Sequence, residues 1–176
     1  MDYLLKSNDY FDGLYILRER VVRVENEKRL FRAVRLYHDS EAIEMFEHGI
    51  LSGGVRTSNG NLELAKKNFE RAFGGYSIPL VLAHTWEPLT PKSLVYGLGI
   101  STTEYLAIAR TLGNYIFEIV VNDTKIVNER LNESGFHVDD EGEAYRCPRN
   151  FDLFTEYECT ILNRIEPDRI RRIFKV

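Results

Sequence analysis

Cysteine is the scarcest reactive group in this sequence, with 2 thiols among 176 residues. Cys147 and Cys159 are too few for a disulfide framework and lack the paired spacing of a zinc site, so no metal centre is expected. Thiols used this sparingly are expected to stay reduced, which suits action in the cytosol. Also missing is any apolar run approaching the roughly 20 residues of a membrane span, and no membrane partner is expected. The N-terminus, with Asp2 and Asp9 flanking a short apolar stretch, lacks the profile of a signal peptide. Action outside the producing cell would need secretion or translocation by a route independent of such a peptide. Positive charge is in deficit: 23 Lys and Arg against 27 Asp and Glu leave a net charge of −4. Nucleic acid is therefore not an expected partner. Repeats, low-complexity tracts and linkers are absent too, and nothing marks a domain boundary.

Hydrophobic residues at 44% and aromatics at 12% belong to a globular chain with a real core. At this length one domain is expected over residues 1–176. Between Asn8 and Lys28 the apolar residues Leu14, Ile16, Leu17, Val21, Val22 and Val24 recur at mixed spacing. That predicts a helix followed by a short extended piece, so residues 1–28 are read as an N-terminal helical appendage. Arg29 to Tyr37 reads as a strand, followed by a short helix capped by Asp39 or Ser40 and ended by Gly49. Leu62 to Phe73 has a helical stripe at Leu62, Ala65, Phe69 and Phe73. Ile78 to Trp86 and Ser93 to Ile100 read as strands, Tyr105 to Leu112 as a helix and Tyr115 to Val121 as a strand. Asn122 to Phe136 reads as a polar helix or turn, His137 to Asn150 as a loop, and Arg171 to Val176 as a closing strand. Short strands interrupted by helices make the expected fold class α+β.

Three stretches carry chemistry. In Phe154-Thr155-Glu156-Tyr157-Glu158-Cys159-Thr160-Ile161-Leu162, two glutamates sit one residue apart in a β-rich run. On a strand they would share a face, each raising the cost of ionising the other. In Gly99-Ile100-Ser101-Thr102-Thr103 an apolar run ends in three hydroxyls, a pattern that also serves as a helix cap. In Leu30-Phe31-Arg32-Ala33 an arginine interrupts an apolar strand pattern. The stretch from Ser52 to Asn61, with Gly53, Gly54 and Gly60, reads as a loop whose glycines permit positive φ and close backbone approach.

In this order the three stretches, with Ser52-Gly53-Gly54, Ala109, Gly113 and a gapless tail from Glu156 to Val176, resemble the arginine, Ser-Thr-Ser and Glu-x-Glu motifs of the cholera-toxin-like mono-ADP-ribosyltransferases. The resemblance runs from about Leu30 to the end. It implies two roughly perpendicular antiparallel sheets around an NAD cleft with flanking helices. The implied activity is transfer of ADP-ribose from NAD to an acceptor protein, on arginine, as in a toxin or translocated effector. An NAD glycohydrolase on the same fold and a catalytically silent binding module are the alternatives.

The roles implied by the resemblance fall on named positions. Glu158 stabilises the cationic sugar, Glu156 receives the acceptor nucleophile, and Ser101 holds Glu158. Arg32 binds the nicotinamide-side phosphate, with Arg35 as the competing choice; three residues apart on a strand, they face opposite ways. Ser101 and Thr102 line the cofactor, and Phe151 and Phe154 meet the acceptor. His38, in Tyr37-His38-Asp39-Ser40, looks like the histidine motif of the diphtheria-toxin-like branch, which the hydroxyl triplet speaks against. It also fits a surface residue beside a helix cap.

Overall fold

A computed structural model describes residues 13–86, 90–128, 131–132, 135–136, 142–147 and 157–176. The chain opens with strands β1 (Tyr15–Glu19) and β2 (Glu27–Val34), helix α1 (Asp39–His48) and the short strand β3 (Ile50–Leu51). Four helices follow: α2 (Gly53–Thr57), α3 (Leu62–Phe73), α4 (Ile78–Trp86) and α5 (Pro91–Tyr96). Strand β4 (Gly99–Thr103), helix α6 (Leu106–Leu112) and strand β5 (Tyr115–Asn122) come next. The rest is β: β6 (Ile126–Asn128), β7 (Leu131–Asn132), β8 (Gly135–Phe136), β9 (Ala144–Arg146), β10 (Glu158–Leu162), β11 (Arg164–Ile165) and β12 (Ile170–Lys175).

The mixed α+β class is as expected, but the sheet layout is not the expected pair of perpendicular antiparallel sheets. One eight-stranded sheet runs β1-β12-β5-β2-β4-β10-β9-β6, beside the two-stranded pairs β11-β3 and β7-β8. Within the eight-stranded sheet, backbone pairing joins β2 to β4. That joint consists of one residue pair, Phe31 with Thr103, whereas β2 pairs with β5 continuously from Glu27–Asn122 to Val34–Tyr115. Nor is the sheet wholly antiparallel. A 3-10 turn over Asp123–Lys125 sends β6 alongside β9 in the same direction.

Strand β5 reads YIFEIVVN and is buried on both faces, as a central strand covered by helices must be. On one face Leu30, Phe117, Ile119 and Ile173 pack against Ala42 and Phe46 of α1. On the other, Phe31, Ile116 and Phe174 pack against Leu106 and Ala109 of α6. The N-terminal stretch joins this sheet instead of forming a helix over residues 15–19: β1 pairs with β12 at the edge. Leu17 packs on the α1 side and Ile16 on the α6 side. Its mixed apolar spacing is thus that of a strand with contacts on both faces.

Two further expectations are corrected. Ile78–Trp86 is helix α4, not a strand. An all-apolar run has no readable period, and the helix is set by its start, where Ser77 Oγ accepts the Leu80 N–H at 3.2 Å and Pro79 takes a first-turn position that needs no N–H. The stretch from Ser93 to Ile100 divides. Thr90 caps α5, its Oγ1 accepting the Ser93 N–H at 3.2 Å, and strand structure begins only at Gly99.

Candidate active site at the parting of the sheet

Arg32 follows two core residues, Leu30 and Phe31, on β2. In an unbroken ladder it would stand on the face opposite Thr103. The ladder with β4 is one pair long, and the Arg32 side chain reaches across to β4. There Nη1 donates to the Ser101 carbonyl at 2.8 Å. The Nε–H is buried and has no hydrogen-bond partner among the described residues. Burial pushes the pKa of this guanidinium down, the carboxylate of Glu158 works the other way, and Arg56 adds to the lowering. The group stays charged regardless. Arg35 lies beyond the end of β2 with its side chain in solvent.

Glu158 opens β10 and is only 5% exposed. Across the ladder it pairs with Thr103, while Ser101 pairs with Thr160. Paired residues share a face, so the hydroxyl directly beside Glu158 is that of Thr103, and Ser101 stands one step along. Thr103 is itself buried, and its Oγ1 accepts the Tyr105 N–H at 3.3 Å. Thr102 points to the other face, where its hydroxyl donates to the Cys159 carbonyl at 2.5 Å. The main-chain carbonyl of Glu158 accepts the Cys147 N–H at 3.0 Å. Neither cysteine forms a disulfide among the described residues, and burial above all pushes each thiol up to about 12.

Arg56 was not singled out by the sequence, yet its charge reaches Arg32. The glycines before it explain how. A Cβ on Gly53 would lie 1.9 Å from the Leu94 carbonyl, and one on Gly54 2.6 Å from the Tyr96 carbonyl. These residues let α2 press against α5 without positive φ, which the same stretch takes at Gly60 with φ 82°; the loop expected there is helical over Gly53–Thr57. The only available signal was Ser52-Gly53-Gly54 itself. Opposite, Glu104 follows the hydroxyl strand and accepts from Arg146 at 3.1 and 2.8 Å, with Lys28 at 3.4 Å.

Tyr157, also missed, sits between the two motif glutamates with φ 50°. Its ring meets Tyr105 edge-on, centroids 4.8 Å apart at 76°, and its carbonyl accepts the Glu104 N–H at 3.3 Å. Extended alternation therefore breaks at Tyr157 and begins at Glu158. Glu156, Phe151 and Phe154 lie outside the described residues. His38 precedes α1, its N–H donating to Glu41 Oε2 at 2.8 Å, the position of a helix cap.

The described residues thus bring Arg32 within electrostatic reach of Glu158, beside Ser101 and Thr103, and leave Arg35 and His38 outside these contacts. A carboxylate withdrawn from water can stabilise a developing cation, and a guanidinium with an N–H that has no partner among the described residues can donate a charged hydrogen bond to an anion. Among the described residues no cluster of His, Cys, Asp and Glu could hold a metal ion. Comparison with protein-family models, with curated proteins and with solved structures found no match.

Proposed function

We propose that the protein is a mono-ADP-ribosyltransferase that cleaves NAD and transfers ADP-ribose to an arginine of an acceptor protein. One observation carries the reading: Arg32, whose buried Nε–H has no hydrogen-bond partner among the described residues, lies within electrostatic reach of the buried Glu158. Breaking the bond between nicotinamide and its ribose leaves positive charge on the sugar, as in glycoside hydrolysis. In this reading the Glu158 carboxylate faces that charge. Thr103 and Ser101 keep the carboxylate on its strand, and Arg32, assisted by Arg56, takes the phosphates. Nicotinamide leaves with the bonding electron pair, the acceptor nitrogen attacks the sugar carbon, and its proton passes to Glu156.

The test is nicotinamide release from labelled NAD, with and without a cell lysate, followed by mass-spectrometric mapping of the modified residue. Release with modified arginine supports the transferase. Release with free ADP-ribose alone identifies a glycohydrolase, and neither release nor NAD binding leaves a silent binding module. Glu158→Gln is expected to slow release by about 10²–10³, the worth of one such electrostatic group. A folded variant with undiminished turnover would remove Glu158 from the mechanism.

A further inference from the structure

Four non-glycine residues among those described have positive φ: Asn26, Asn59, Asn163 and Tyr157. Asparagine tolerates the left-handed region, whereas a bulky residue there is an outlier. Everywhere else among the described residues that backbone is taken by Asn or Gly, so packing convenience does not account for a tyrosine beside Glu158. Nor is the ring sunk in the core, since Tyr157 is 39% exposed. It is instead held at the surface by the edge-on contact with Tyr105, whose own N–H is tied to Thr103, the residue paired with Glu158. The result is a half-exposed aromatic ring on the residue that directly precedes a buried glutamate. Strained backbone at such a place is a reason to look for function.

We propose that Tyr157, buttressed by Tyr105, is the acceptor-selecting residue of the site: its ring receives a flat cationic side chain, a guanidinium, and delivers it beside Glu158. This rests on the transferase reading above. Aromatic faces attract guanidinium through the ring quadrupole. Tyr157 thus favours arginine over neutral acceptors.

The experiment uses the full chain with NAD and agmatine, a small molecule carrying a guanidinium, following nicotinamide release and ADP-ribosylagmatine together. Tyr157→Phe keeps the ring, and Tyr157→Asn removes it while retaining a residue suited to the backbone. The Asn variant is expected to raise the KM for agmatine about five- to thirtyfold, the range of a cation–π contact. The Phe variant should stay within about twofold of wild type, because its ring keeps that attraction. A wild-type KM in the Asn variant overturns the proposal. If the Asn variant loses its fold by circular dichroism, Tyr157→Gly and Tyr105→Leu make the same comparison, and wild-type KM values in both overturn it equally. Nicotinamide release without any agmatine adduct sinks the acceptor platform but leaves NAD cleavage standing. No release from wild type removes both.

Discussion

Replacing Arg32 by lysine keeps a cation where β4 leaves β2 but loses the two-pronged geometry that suits phosphate. NAD affinity is expected to fall about 10–100-fold, the worth of a charged hydrogen bond. Arg35→Lys should change it little, because that side chain stands in solvent. Calorimetric titration with NAD decides, and the reverse ranking would move the role to Arg35. Arg32 was legible in the sequence because an arginine inside an apolar strand needs a reason, and Glu158 because of its motif. Arg56 and Tyr157 were not. Arg56 depends on how closely α2 meets α5, and Tyr157 on a backbone angle that no composition reveals. Glu156 rests on the motif alone. Glu156→Gln is expected to cut transfer to arginine by about 10²–10⁴, a general-base contribution, while slow NAD hydrolysis survives. A parallel fall of both activities would place it in the NAD-cleaving machinery.

Among the elements, those with a clear period were legible: α3 runs over the predicted residues, and β5 and β12 differ by a residue or so at their ends. Helix α4 was not, because nine largely apolar residues look the same to either period and only Ser77 and Pro79 mark the start. Its fit against β4 is tight. A Cβ on Gly99 would fall 2.0 Å from Thr85 Oγ1, and Trp86 Nε1 donates to Thr160 Oγ1 at 2.8 Å on the strand bearing Glu158. Gly99→Ala should therefore cost about 1–3 kcal/mol through overpacking, read as a lowered midpoint in thermal melting. Adding Thr85→Ala removes the hydroxyl and methyl in the way and should restore part of the loss. No recovery in the double variant would mean that the strain lies elsewhere.

Across the whole molecule, ion pairs tie distant segments. Arg171 of β12 holds Glu27 at the start of β2 at 2.5 Å, and Arg169 holds Glu143 beside β9 at 3.0 Å. In both, the arginine hydrogen bond is the largest cause holding the carboxyl below its ordinary value. A carboxyl with a lowered folded pKa contributes stability fully above its unfolded value, about 4.3, and loses it as pH falls through the folded one. Melting temperature should therefore drop on acidification below about pH 5. Arg169→Met should flatten that drop, and an unchanged profile would remove the Glu143 pair from the acid response. The sheet itself is joined unevenly at its centre. The run of pairs between β2 and β5 could lose any one and remain a ladder. The backbone pairing of β2 with β4 is one residue pair long, backed by the Arg32 bond to the Ser101 carbonyl and the Lys28–Glu104 ion pair, and the residue that makes it, Thr103, is also the partner of Glu158. Thr103→Pro should thus disconnect the two halves of the sheet and the chemistry in the same stroke, where the same change at an edge strand would be absorbed.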